Sequence, residues 1–513
     1  MPTMDPTPAL RFDNTYAREL EGFSVPWKPA VVPAPKLLFL NRPLALELGL
    51  DPAALDGAAG AALFAGNAVP EGAEPVAQVY AGHQFGGFSP QLGDGRALLL
   101  GEVIDRYGRR RDIAFKGSGR TPFSRGGDGR AAVGPMLREV LIGEAMHALG
   151  IPTTRALAVA ATGEPVLREA GLLPGAVLTR VAASHIRVGT FQFFAARGDE
   201  ARVRALADYT LARHDPELVG TPDRYAGLLR AVARRQARLI AQWMNVGFIH
   251  GVMNTDNMTL SGETIDYGPC AFVEAYDPAA VFSSIDSGGR YALSNQPLIA
   301  RWNLARLAET LLPLLGDDAE AAVAQATEVI DAFPDWYAAE LLAGRRAKLG
   351  LMRPDPTDEA LAADFLALLH AGRVDFTAAW RRLGEAAAGD DAPLRTLFPE
   401  PQAPVAWLAR WRARCAEEDG AASTGAAAAG AATAGPQGAA RAARMNAVNP
   451  RVIPRNHRVE EALEAASDSG RLEPFERLLD AIRRPYDDAP ELAPFAEPAP
   501  AAVTAGYRTY CGT

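Results

Sequence analysis

Ile249-His-Gly-Val-Met-Asn-Thr-Asp-Asn257, followed by Ile265-Asp-Tyr-Gly268, is the stretch on which the reading of this chain turns. Asn257 and Asp266 offer oxygen donors of the kind a hard divalent cation takes. Position 252, five residues before Asn257, is Val, a side chain that neither accepts a proton nor binds a cation.

In protein-kinase-like folds a His-x-Asp loop supplies the catalytic base, an Asn five residues after that Asp binds metal, and an Asp-x-Gly on the next hairpin holds Mg²⁺. Here Val252 stands where the base belongs, and both metal ligands remain. The alternatives are a dead kinase and a nucleotide enzyme that makes a different transfer.

The order of patterns upstream fits the same fold. Residues 97–104 and 111–116 are strand-like apolar runs separated by Asp105-Arg-Tyr-Gly-Arg109, which predicts a β-hairpin ending at Lys116. Pro135 and Gly150 bracket an amphipathic helix, 136–149, that carries Glu139 and Glu144. A strand over 175–180 follows, and a long helix from about Tyr225 to Met244 leads into His250. Beyond Gly289 the patterns are mostly helical, as in 319–332, 358–371 and 459–466. The expected architecture is α+β: a two-lobed kinase-like core over 81–290, an N-terminal extension over 1–80 packing on its first lobe, and a helical region over 291–513. Within the last, an Ala/Gly-rich stretch at about 417–444 reads as a flexible insertion.

Lysine is scarce: Lys28, Lys36, Lys116 and Lys348 stand against 48 arginines. A strand-terminal lysine is by default a solvated surface residue. Where lysine is this rare, Lys116 with a Glu on the next helix reads instead as a phosphate-holding ion pair. Phe85–Arg96 is Gly-rich and lies where a phosphate-covering loop belongs, and Lys116–Arg130 mixes glycines with three arginines, a good composition for a phosphate cradle. Arg180 and Arg187 are within the same reach, although surface solvation is their default. His250 reads as a backbone prop, and His83 and His185 have no second His at metal-binding spacing.

Composition narrows the class. The chain has 513 residues, 48% of them apolar and 22% charged, which is ordinary globular material for two or three packed units. A net charge of −9 argues against a general nucleic-acid binder. The first residues resemble neither a signal peptide nor a transit peptide, and no apolar run suits a bilayer, so a cytoplasmic location without membrane attachment is expected. Three cysteines, Cys270, Cys415 and Cys511, provide no disulfide scaffold.

Taken together, the motifs resemble those of the selenoprotein O family of kinase-like protein adenylyltransferases. The resemblance rests on Phe12-Asp-Asn14, Tyr80–Phe88, Leu92-Gly-Asp-Gly-Arg96, Lys116–Arg130, Asn245–Asn257 and Ile265–Cys270, in one order over nearly the whole chain. It implies that ATP binds in an orientation flipped from that of kinases, so that AMP passes to a Ser, Thr or Tyr hydroxyl of a protein and pyrophosphate leaves. It further implies that Asp256 is the proton acceptor, that Asn257 and Asp266 bind Mg²⁺ or Mn²⁺, and that Lys116 pairs with Glu139. Gly93, Gly95, Arg96, Asp128, Gly129, Arg180 and Arg187 would contact the nucleotide. Cys511 and Cys270 occupy the places of a redox pair, though the tail Tyr510-Cys-Gly-Thr lacks selenocysteine. The expected partners are proteins with acceptor hydroxyls, for a monomeric enzyme. A phosphotransferase using Asp256 as base and a non-catalytic pseudokinase scaffold are the rival readings.

Overall fold

The computed structural model describes residues 10–169, 171–420, 435–504 and 506–510. Among the described residues nine strands precede the long helix Arg224–Val246: β1 (Ser24–Pro26), β2 (Lys36–Leu40), β3 (Val76–Gln78), β4 (Gly82–Gln84), β5 (Gly87–Ser89), β6 (Ala97–Ile104), β7 (Arg110–Lys116), β8 (Arg155–Arg168) and β9 (Gly171–Ala182). Seven of them form one antiparallel sheet in the order β1-β3-β6-β7-β9-β8-β2. β4 and β5 make a separate two-stranded hairpin.

The turn between β6 and β7 forms at Asp105, whose Oδ1 accepts from the backbone N–H of Tyr107 and Arg109, each at 2.9 Å. Alternation along β7 then sorts its side chains. Ile113 and Phe115 pack with Leu44, Leu55 and Phe64 from the first eighty residues, while Asp112 and Lys116 lie on the opposite face. Residues 10–80 therefore cover one face of the sheet, and they also supply β1, β2 and β3 as strands. Those strands are three to five residues long, too short to show a period in the sequence.

The helix expected over 136–149 runs Val133–Ala148, starting three residues earlier with Pro135 in its first turn. It packs on β8 and β9. The long helix Arg224–Val246 ends at Gly247, in the left-handed conformation, and delivers the chain to the small hairpin β10 (Phe248–Ile249) and β11 (Ala271–Phe272). Helices Gln296–Leu315 and Ala319–Lys348 pack on Arg224–Val246. A second core follows around Trp380, Trp407 and Trp411.

The chain then returns. Helices Asn456–Ser469 and Glu473–Ile482 pack against Val133–Ala148 through Val459, Leu463, Phe475 and Leu479. Glu144 binds Arg155 and Arg483, which is a structural use for that carboxylate. Of the insertion expected at about 417–444, residues 421–434 lie outside the described residues. Its C-terminal part is the helix Pro436–Asn446, fixed by buried Arg441 on Asp419 at 2.9 Å. No helix of the described residues is long and apolar enough to cross a membrane.

Lys348 closes the 30-residue helix Ala319–Lys348 and is buried, its ammonium 4.8 Å from the Trp380 ring and 5.5 Å from Phe376. Burial pushes it down to about 7, against the opposing pull of the two ring faces and the helix C-terminus. Below that pH the fold holds a buried ammonium; as pH rises from 7 to 10 the folded chain has released its proton while the unfolded chain still binds one, so stability rises with pH and the penalty fades. Lys348→Met is expected to be more stable than wild type by about 1–4 kcal/mol at pH 6 in urea unfolding, with the gap closing by pH 10. A less stable variant at both values would mean that the cation–π contacts outweigh desolvation.

Candidate active site

Lys116, Glu139, Arg180 and Asp266 meet in one buried network. The register Ala114↔Arg180 and Asp112↔Ala182 places Arg180 on the same face of the sheet as Lys116. Lys116 Nζ donates to Glu139 Oε1, and to Asp266 Oδ1 at 2.6 Å. Arg180 Nη2 donates to Glu139 Oε2 at 2.8 Å and to the same Asp266 oxygen at 2.6 Å. Arg187 extends the group: its guanidinium is 3.8 Å from Asp266 Oδ2 and 3.9 Å from Asp94 Oδ1, and lies 4.5 Å over the Tyr80 ring.

Burial alone would raise both carboxyls. Instead Arg180 and Lys116 hold Glu139 below the usual range, and the same two with Arg187 hold Asp266 well below it. Asp266 adopts φ 63°, an uncommon conformation for a residue with a Cβ, within the Asp-x-Gly turn.

The loop after β10 supplies the second half of the site. His250 is buried, donates from Nε2 to the Ile265 carbonyl at 2.8 Å, and stacks on Trp243, so it ties the loop to the Asp266 turn as its reading from sequence requires. Asn257 donates from Nδ2 to the Val252 carbonyl at 3.1 Å, which leaves its Oδ1 for another partner. Asp256 sits in the short turn Thr255–Asn257. Its Oδ2 accepts from Gln84 at 3.1 Å, and its Oδ1 is buried without a partner. Burial pushes this carboxyl up to about 6, against the lowering effects of Arg187 and Gln84.

Gln84 was not singled out in the sequence, and neither was the scaffold around it. The hairpin β4–β5 docks on the loop: His83 N–H donates to Thr255 Oγ1 at 2.7 Å, Thr255 donates to Gln192 at 2.6 Å, and Phe85 N–H donates to Asn254 Oδ1 at 3.1 Å. A Cβ at Gly82 would lie 2.6 Å from Asp256 Oδ1, so only glycine permits this approach. The motif Tyr80–Phe88 was legible as a motif. Its docking on the Asp256 loop depends on contacts more than 160 residues apart in sequence.

The glycine-rich loops lie beside the network. Gly93 and Gly95 flank Asp94, whose Oδ2 accepts from Gln78 N–H at 3.0 Å and whose carbonyl accepts from Thr121 Oγ1 at 2.6 Å. The Arg96 carbonyl accepts from Gly117 N–H at 2.6 Å, joining the two loops at the start of β6. Gly129 has φ 67°, and a Cβ there would meet the Gly119 carbonyl at 2.2 Å. Asp128 stands outside the Lys116 network and is bound by Arg168 at 2.8 Å from the β8–β9 turn. Cys270 is buried and raised to about 12 by burial. The tail comes close to it, since Thr509 Oγ1 donates to the Pro269 carbonyl at 2.6 Å, but Cys511 lies outside the described residues.

The donor set suits a hard cation shared with a ligand. Asn257 Oδ1 and Asp266 are oxygen donors, and among the described residues no cluster of three or more His, Cys, Asp or Glu forms a self-sufficient metal cage. Two protein oxygens with the remainder from phosphate and water is the usual manner of Mg²⁺.

Residues 6–483 match the family model described as "Protein adenylyltransferase SelO". The chain is 60% identical over 504 residues to a protein of Cereibacter sphaeroides named "Protein nucleotidyltransferase YdiU", with 98% of this chain and all of that one covered. Proteins of the same name from Chromobacterium violaceum and Rhizobium etli are 59% and 57% identical, over 95% and 99% of this chain and 99% and 98% of theirs.

The network predicts a stability effect. Glu139→Ala leaves Lys116 and Arg180 with one carboxylate between them and should cost about 3–5 kcal/mol in denaturant unfolding. A loss below 1 kcal/mol would show that the two cations find other partners.

Proposed function

Because this chain belongs to the SelO family of protein adenylyltransferases, a nucleotidyltransferase activity is its starting point, and we propose that it moves AMP from ATP to Ser, Thr or Tyr hydroxyls of proteins in the cytoplasm. The observation that carries this reading is the division of the site. Three cations, Lys116, Arg180 and Arg187, converge on one side. A partly free buried carboxylate, Asp256, stands on the other, in a loop whose position 252 is apolar.

In this reading Asp256 accepts the proton of the acceptor hydroxyl. The oxygen bonds to the α-phosphorus, the bond from that phosphorus to the bridging oxygen breaks, and pyrophosphate leaves with the electron pair. Lys116, Arg180 and Arg187 neutralise the charge that develops on the leaving group, where preorganised donors have most effect. Glu139 keeps Lys116 and Arg180 in place. Asn257 and Asp266 would hold Mg²⁺ or Mn²⁺, which supplies charge neutralisation at the α-phosphate when bound. The Asp266 oxygen now shared by Lys116 and Arg180 is released as phosphate oxygens take over those two cations. His250 is unsuited as base, because its Nε2 is committed to the Ile265 carbonyl.

Incubation of the protein and a generic protein acceptor with Mg²⁺ and ATP labelled at the α or γ phosphorus tests the reading. Label from α alone is expected, and label from γ alone would make this a phosphotransferase. Asp256→Ala should lose about 10²–10⁴-fold in rate, and wild-type turnover in that variant removes Asp256 from the role of base.

A base raised to about 6 is competent only when ionised, so kcat/KM should fall as pH drops through 6 and level off above 7. Removing the hydrogen bond from Gln84, which favours the carboxylate, should move this limb to higher pH in Gln84→Leu. A limb that stays in place would separate Gln84 from the titrating group.

A further inference from the structure

A small cavity of about 10 Å³, room for one oxygen-sized group, adjoins the network, lined by Lys116, Arg180, Arg187, Asp94 and His185 over the short side chains of Ala97 and Ala114. Four of those residues are accounted for by the transfer site and its loops. His185 is not.

His185 is 4% exposed and firmly held. Its Nδ1 lies 2.9 Å from Asp112 Oδ2, and its own backbone N–H donates to that same oxygen at 2.8 Å. Asp112 is in turn bound through Oδ1 by Arg213, which also binds Glu102. Burial raises Asp112, but Arg213 and His185 outweigh it and bring it to about 2, so the carboxylate is ionised and accepts the Nδ1 proton. That fixes the ring. The remaining nitrogen, Nε2, is buried and has no hydrogen-bond partner.

A buried polar atom in a folded protein nearly always has a partner. The other groups around this cavity state what kind. Lys116, Arg180 and Arg187 bring three positive charges to one place, with Arg213 behind Asp112, and the acids facing them are Glu139, Asp266 and Asp94. A phosphoryl oxygen suits both the cations and Nε2. It can accept a proton from the imidazolium or, in its protonated form, donate one to the neutral ring, so the hydrogen bond forms whichever partner carries the proton.

We propose that His185, oriented by Asp112, is a further phosphate-binding residue of the transfer reaction, its Nε2 bonded to the terminal phosphates of the nucleotide and then to the pyrophosphate that leaves. This rests on the reading above, in which the phosphates rather than the adenine ring lie at this end of the site, one phosphoryl oxygen reaching into the cavity. Asp112 acts only through the histidine and is a positioning residue. The Glu102–Arg213–Asp112–His185 chain links helix Glu200–His214 to the phosphate end of the site.

The test is calorimetric titration of the full-length protein, in Mg²⁺ buffer, with pyrophosphate and separately with adenosine. His185→Asn keeps an amide donor for Asp112 and removes the nitrogen that faces the cavity. Its pyrophosphate affinity is expected to fall by about 10- to 100-fold, the worth of a hydrogen bond to a charged group, with adenosine affinity unchanged. Turnover with α-labelled ATP should fall alongside it. Unchanged pyrophosphate affinity in the folded variant overturns the proposal. So does a loss confined to adenosine, which would place the base at this end of the site. If His185→Asn fails to fold, His185→Ala, which also removes Nε2, takes its place in the same titrations and is read the same way. Transfer of γ label by the wild type, with pyrophosphate binding still dependent on His185, would overturn the adenylyl-transfer reading and leave the histidine assignment standing.

Discussion

One oxygen organises this protein: Asp266 Oδ1, which accepts from both Lys116 and Arg180 while Glu139 holds the same two cations from the other side. All four groups are largely out of water, where an unpaired charge costs several kcal/mol and a paired one is tolerated only in good geometry. The requirement reaches far along the chain. It fixes the register of β7 against β9, the rotation of helix Val133–Ala148 that turns Glu139 inward, and the strained turn at Asp266. A slip of one residue in β7 would carry Lys116 to the face filled by Leu44, Leu55 and Phe64.

Such a network needs a rigid frame, and the C-terminal helices supply it. Helix Val133–Ala148 is covered on its outer side by Asn456–Ser469 and Glu473–Ile482. Arg138 from this helix donates to the Cys270 carbonyl at 2.6 Å and to Glu460 at 3.1 Å, so one side chain joins the first lobe, the segment after Asp266 and the returning chain. Arg455 does the same lower down, bridging Glu274 and Asp375 at 2.7 Å each. The position of Glu139 relative to Asp266 is therefore set from both ends of the sequence.

What the sequence made legible follows from the range of the interactions. The β6–β7 hairpin, Lys116 at its end and the helix into His250 are local patterns of period and turn chemistry, and they form as read. That Lys116 pairs with a Glu of the next helix was readable because the elements are adjacent and lysine is rare here, and the family resemblance named Glu139 for it. β1, β2 and β3 were not readable as strands, since three to five residues carry no period. Gln84 on Asp256 and His185 on Asp112 were equally hidden. A glutamine in a glycine-rich motif and a histidine with no metal-spaced neighbour become informative only when a carboxylate is brought to them across 172 and 73 residues.

The valine at position 252 also acquires a physical sense. Its side chain is buried, in a loop that already holds Asp256 and faces Asp266. A third carboxylate there would share a poorly solvated space with two others and raise the pKa of its neighbours by like-charge repulsion. With Val252, Asp256 is raised chiefly by burial, and Gln84 and Arg187 hold it near 6, ionised at neutral pH yet still basic. The hairpin β4–β5, closing over the loop with glycine at position 82, provides both the burial and the hydrogen bond. Asp256 and the hairpin that covers it thus form one structural unit, and an apolar residue at 252 leaves that unit without a further carboxylate to raise it.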